Sequence, residues 1–188
     1  MFEYLMPLLH LRSYAGTLLD RSLRAAVRIQ QVYAHERRVP WGISEAAFAE
    51  RDQRGQYQYH AFGVAPLAAS GEDDKRLVIA PYASMLALML DPARATSNLR
   101  AMAAKGWWTR HGFFESVDYS HAAGGAPEVV QCFMAHHQGM ALLAIDNALL
   151  GNRMQERFHH DPLVQSTEFL LEERMPLLVD VTPVPEAA

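Results

Sequence analysis

The chain has 188 residues, half of them hydrophobic and a fifth charged, with 17 Lys and Arg against 21 Asp and Glu for a net charge of −4. That is the composition of one ordinary globular domain, long enough to bury about 70% of its unfolded surface, and its single cysteine, Cys132, excludes a disulfide framework or a CxxC zinc site. No basic stripe offers a footprint to nucleic acid or an anionic membrane, no run approaches ~18 apolar residues, and the start, Met1-Phe2-Glu3-Tyr4-Leu5-Met6-Pro7, lacks the basic region of a signal peptide.

Residues 2–9 are a dense apolar segment that needs a partner at once, which suggests a chain cut from something larger. Gly16-Thr17 opens an amphipathic helix over residues 15–36, with Leu18, Leu19, Leu23, Ala26, Val27, Gln30 and Tyr33 spaced by threes and fours. It stops at Val39-Pro40-Trp41-Gly42, because the residue before a proline is driven out of the helical region. Residues 57–62 have the aromatic content of a short strand, as do Gly112-Phe113-Phe114-Glu115. Leu77-Val78-Ile79 is a brief β-branched run, and from Pro81 onward residues 82–90 are apolar on nearly every side, the pattern of a buried helix. Asp91-Pro92 supplies an N-cap and a first-turn proline for a helix ending at Ala104, with Gly106 beyond it. Ala126-Pro127-Glu128 predicts a long helix to Leu150, and Asp161-Pro162 one through Arg174, closed by Pro176. Residues 180–188, rich in Pro, Val and Ala, are expected to fray. The expected class is all-α: helices joined by functional loops, with strand-like pieces too short and separate to build a sheet.

Two glutamates stand in unusual settings. Glu45 follows Trp41-Gly42-Ile43-Ser44, where a carboxylate opening a helix would meet free N–H groups. Glu115 is flanked by Phe113, Phe114 and, further on, Tyr119; aromatic surface desolvates a carboxyl and also stacks on sugar rings. A glycosidic bond is cleaved by two carboxyl groups across it, which makes Glu45 and Glu115 a candidate pair. The competing reading has Glu45 cap a helix and Glu115 satisfy a buried tyrosine or arginine. Met134-Ala135-His136-His137-Gln138-Gly139-Met140 is the second cluster. Adjacent helical histidines point about 100° apart, so His136 and His137 are not expected to share a metal; hydroxyls or carboxylates are their expected partners, with backbone groups as the alternative. Cys132 reads as an inert core thiol on a helix stripe, and Trp107-Trp108 as either a sugar platform or a core plug. Gly124-Gly125 has no phosphate-loop spacing. His159-His160 and Glu172-Glu173 read as solvated charge at helix ends.

Six linked stretches resemble one family. They are the opening Met1 to Pro7 motif, Pro40-Trp41-Gly42-Ile43-Ser44-Glu45, Tyr57-Gln58-Tyr59 with Ala61-Phe62-Gly63-Val64, Val78-Ile79-Ala80-Pro81-Tyr82-Ala83, Gly112-Phe113-Phe114-Glu115 with Asp118-Tyr119, and the His136-His137 cluster. In order and spacing they are similar to the glycoamylase-like region of cyclic β-1,2-glucan synthases, over about residues 1–176, with 177–188 as a tail or linker. The resemblance implies an (α/α)6 toroid, incomplete in this chain as the C-terminal half of such a domain, with an exposed apolar flank. It implies retaining transglycosylation that cyclises a β-1,2-glucan, with Glu45 as acid/base and Glu115 as nucleophile; hydrolysis, or a non-catalytic binding or scaffold role, is the alternative. Trp41, Tyr57, Gln58, Tyr59, His136, His137 and Gln138 are implied to bind sugar or orient carboxylates, with Glu3 and Asp118 contributing. Also implied are no cofactor, no metal, the remaining domains of a larger synthase as partners, and a cytoplasmic location, alone or as part of an inner-membrane protein. Ala68-Ala69-Ser70-Gly71-Glu72-Asp73-Asp74-Lys75 departs from the family's usual Gly-Leu-Lys-Arg-like loop, and Ser116 stands where Ala is usual.

Overall fold

The computed structural model describes residues 1–67, 76–120 and 126–174. Seven helices and seven short strands alternate along them: α1 Phe2–Leu5, α2 Leu18–Glu36, β1 Ala46–Arg51, β2 Tyr57–His60, β3 Val78–Ile79, α3 Pro81–Leu86, α4 Pro92–Ala104, β4 Trp108–Thr109, β5 Gly112–Phe113, β6 Ser116–Asp118, β7 Glu128–Val130, α5 Ala135–Leu149, α6 Arg153–Phe158 and α7 Pro162–Thr167. The loop departure at residues 68–75, Gly124-Gly125, Pro176 and the tail fall outside the described residues.

Caps set the helices where local chemistry dictates. Thr17 accepts from the N–H of Asp20 to start α2, and Asp91 accepts from that of Arg94 to start α4, whose run ends before Gly106 at φ 82°. The helical part of the expected class holds, but all-α does not cover the described residues, which also form sheets β1-β2, β3-β6-β7 and β4-β5. The strands were hard to see because β3 pairs with β6 some forty residues away, through only two residues, and no local periodicity reports such pairing. The helix expected from Pro127 is likewise corrected. Glu128–Val130 pairs with Ser116–Asp118, and the helix begins only at Ala135. Cys132 therefore lies between β7 and α5 rather than on a helix stripe. The helix expected from Pro162 ends at Thr167 and continues as a 3-10 turn over Glu168–Glu172.

The core gathers Leu5, Leu9, Ile43, Ile79, Leu86, Met102 and Val117, all essentially inaccessible. The apolar opening segment finds its partners at the far end of the described chain. Asn147 Nδ2 donates to the Leu9 carbonyl at 3.0 Å, and Gln155 Nε2 to that of Leu8 at 2.6 Å. His159, expected to be solvated, is 3% exposed and bridges the Arg12 N–H (3.0 Å) and Glu168 (3.0 Å). Leu142, Leu149, Leu163, Phe169 and Leu170 are exposed. No helix among the described residues is long and apolar enough to cross a membrane.

Candidate active site

The Trp41 to Glu45 loop is held from three helices. Gln30 of α2 donates to the Ile43 carbonyl (2.8 Å) and accepts from its N–H (2.9 Å). Asn98 of α4 treats Trp41 in the same way and also donates to Ser84 of α3. Gly42, at φ 128°, has no room for a side chain, since a Cβ would stand 3.0 Å from the Ala80 carbonyl and 3.1 Å from Ser84 Oγ. Ser44 Oγ accepts from the Phe2 N–H and from Tyr82 (2.8 Å), whose hydroxyl also lies 2.9 Å from the Glu45 carbonyl. Glu45 thus leads into a strand, β1, not a helix as expected from its sequence setting.

Glu115 enters from the other side, between β5 and β6. Its N–H donates to the Cys132 carbonyl, and its side chain is 2% exposed. Oε1 accepts from the Ala47 N–H (3.3 Å) and sits 2.8 Å from His137 Nδ1, whereas Oε2 is buried with no hydrogen-bond partner among the described residues. The fully buried His137 ring stacks on Tyr82, centroids 3.7 Å apart and planes 10° from parallel. Its Nε2 lies 3.2 Å from the Tyr59 hydroxyl, which donates to Glu45 Oε1 at 2.7 Å and lies 3.3 Å from His136 Nε2. One continuous chain of contacts therefore runs Glu45, Tyr59, His137, Glu115. The register of β1 against β2 builds it, setting Tyr59 opposite Ala47 while Ala47 binds Glu115.

Burial, and then the neighbouring Glu45, push the Tyr59 phenol well above its ordinary range, so it remains a hydroxyl and a donor. Burial does the same to Tyr82. Burial, helped by the charge of Glu115, raises the Cys132 thiol to about 11. The divergence expected of adjacent histidines is overturned. At the first turn of α5 their rings approach to 4.0 Å and both Nε2 atoms face Tyr59.

The other expected site residues are dispersed. Asp118 spends both oxygens on backbone, Oδ2 on Ala49 (3.1 Å) and Oδ1 on Ser120 (2.8 Å), tying β6 to β1. Tyr57 accepts from Arg51 (2.6 Å), whose guanidinium covers its ring. Strand alternation turns Gln58 to the face opposite Tyr59. Gln138 reaches the Phe113 carbonyl at 3.5 Å, beside Gly112. Glu3 is exposed on α1. Trp41 instead lines a cavity of about 580 Å³ between α2 and α4, with Arg28, Gln31, His35 and Arg94, apart from the carboxylates. Trp107 plugs the core, whereas Trp108 is exposed. Sequence reasoning gave Ser84 and Asn98 no role, read Gln30 only as part of the α2 stripe, and left Ser44 and Tyr82 without a function although both stand in the motifs that carry the resemblance.

The family model glycoamylase, described as "Putative glucoamylase", matches residues 1–162. Over 179 residues the chain is 38% identical to the cyclic β-(1,2)-glucan synthase NdvB of Rhizobium meliloti (strain 1021), covering 94% of this chain but 6% of the synthase. A β-1,2-glucanase from Parabacteroides distasonis shares its fold, with a TM-score of 0.66 at 18% identity over 91% of this chain and 24% of that one. The endo-β-1,2-glucanase from Chitinophaga pinensis, solved with sophorotriose and glucose, matches with a TM-score of 0.54 at 18% identity, over 78% of this chain and 33% of its own. The chain spans a small part of each of these relatives. With most of its length matched by the family model, it belongs to the glycoamylase family.

Proposed function

We propose that residues 1–176 are the C-terminal half of a carbohydrate-active (α/α)6 toroid that acts on β-1,2-glucan and closes it into a ring by retaining transglycosylation, with residues 177–188 a tail or linker. The observation that carries this reading is the inequivalence of the Glu115 oxygens. Oε1 is fixed by His137 and the Ala47 N–H, leaving Oε2 without a partner. A nucleophile needs one oxygen held and one uncommitted. In the proposed reaction Oε2 attacks the anomeric carbon while Glu45 gives its proton to the departing glycosidic oxygen. A 2-hydroxyl of the same glucan then attacks the glycosyl ester, returning its proton to Glu45 and freeing Glu115. Tyr59 holds Glu45 in position, and Tyr82, through His137, steadies Glu115.

Such a double displacement needs carboxyl groups about 5–5.5 Å apart across the sugar. Because Glu115 is buried, the side chains over it must move aside to admit the sugar. That burial favours a second reading, in which Glu115 only orients His137 and the chain binds glucan without turning it over; water in place of the sugar hydroxyl would give hydrolysis. The site would then serve a larger synthase through its remaining domains, on the cytoplasmic side. The test is incubation with linear β-1,2-glucan, analysed for rings and for shortened chains. Rings from the wild type and none from Glu115→Gln support cyclisation. Shortened chains make the protein a hydrolase, and undiminished activity in Glu115→Gln removes the nucleophile assignment.

A further inference from the structure

The Tyr59 hydroxyl has one proton and two lone pairs, yet it faces three groups: Glu45 Oε1 at 2.7 Å, His137 Nε2 at 3.2 Å and His136 Nε2 at 3.3 Å. While Glu45 is ionised, before it takes up the proton it gives in catalysis, the Tyr59 proton goes to this closest partner. His137 in its neutral form gives its Nδ1 proton to Glu115 Oε1 at 2.8 Å, which leaves a lone pair at Nε2. Tyr59 has no second proton to offer that lone pair, and the ring is fully buried. A buried nitrogen lone pair aimed at a carboxylate and a second imidazole is the environment of a metal ligand.

The separations agree. One ligand atom each from Glu45, His136 and His137 lies within 4.8 Å of the others. Bonds of about 2.0–2.1 Å around tetrahedral zinc set donors roughly 3.3 Å apart, so a modest contraction closes the three around an ion. Behind His137, Glu115 Oε1 lies 2.8 Å from Nδ1 and orients the ring, as carboxylates do behind metal-bound histidines. Two imidazoles with one carboxylate suit a borderline ion such as Zn²⁺ rather than Mg²⁺ or Ca²⁺.

We propose that Glu45, His136 and His137 bind a divalent transition ion, Zn²⁺ fitting best, with the fourth position left open. The ion takes the Glu45 carboxylate, so it competes with the sugar and switches the site off. The binding stands by itself; the inhibition rests on the catalytic reading above.

The test is calorimetric titration of the chelator-treated protein with ZnCl₂, alongside absorption spectra with Co²⁺. One equivalent should bind, with the intense visible bands of tetrahedral cobalt. Affinity should fall at least tenfold in His136→Ala and in Glu45→Gln, and stay unchanged in His35→Ala, a surface histidine remote from the cluster. No saturable binding, or equal affinity in His136→Ala and wild type, overturns the proposal. Activity on linear β-1,2-glucan separates the two ideas. Zinc binding by a metal-free protein that never turns glucan over removes the catalytic reading and keeps the ion site. Turnover without zinc binding does the reverse.

Discussion

Two polar clusters flank the Trp41 to Glu45 loop, one buried around Gln30 and Asn98 and one that runs from buried Glu115 and His137 out to exposed Tyr59 and His136. On one side Gln30 and Asn98 pair both faces of their amides with the backbone of Ile43 and Trp41, adding to the antiparallel bridge between Ile43 and Ile79. On the other, three groups contend for the Tyr59 hydroxyl and Glu115 Oε2 has no partner. Buried polar groups are normally satisfied, because leaving one unpaired costs about 1–3 kcal/mol. The contrast sets a cluster whose amides are fully paired beside one that still has an unpaired oxygen, and the proposed function places the sugar at the second.

The contrast breaks most visibly through Glu115. Glu115→Gln keeps the shape but removes the charge, and glucan turnover should fall on the order of 10⁴-fold, read from product formation, while the melting temperature stays near wild type. Tyr59→Phe removes the shared hydroxyl and should lower turnover about 10²-fold with little change in stability, since its loss frees Glu45 and His136 to drift. On the structural side the pattern should invert. Gln30→Ala strands the Ile43 N–H and carbonyl and should cost about 2–4 kcal/mol in denaturant unfolding, as should Gly42→Ala, where a Cβ meets the Ala80 carbonyl.

The smallest effect is in pH. Tyr59 and Tyr82 are both raised above the ordinary value of 10.0, so the native state keeps protons that the unfolded chain releases. Their contribution is complete below pH 10 and is lost as the pH rises above it, so the melting temperature should drop through that range. Tyr82→Phe should flatten the decline. A melting temperature that rises above pH 10 would contradict the burial of the Tyr82 phenol.

What could be read from the sequence was what local chemistry writes there. Thr17, Asp91-Pro92 and Gly106 mark helix ends through their own side chains and backbone angles, and α2 and α4 stand where those residues say. Ala126-Pro127-Glu128 imitates the same signal and misleads, because Glu128–Val130 is claimed by Ser116–Asp118, a partner fixed only by tertiary structure. Glu45 was singled out for a helix start and leads a strand instead. The candidate site was legible as residue types, since Glu45, Glu115, Tyr59, His136 and His137 do converge. Their arrangement was not, nor was the support from Gln30, Asn98 and Tyr82, which act on residues from 13 to 57 positions away and leave no periodic trace.

The central claim is that Glu115 attacks the sugar through its uncommitted oxygen. Supplying azide to Glu115→Ala together with linear β-1,2-glucan tests it most directly, because the small anion can enter the space of the lost carboxylate. The account predicts restored bond cleavage and a glucan ending in an α-glucosyl azide, seen by NMR. A β-glucosyl azide would make Glu115 the acid/base, and wild-type turnover without azide would take it out of the chemistry.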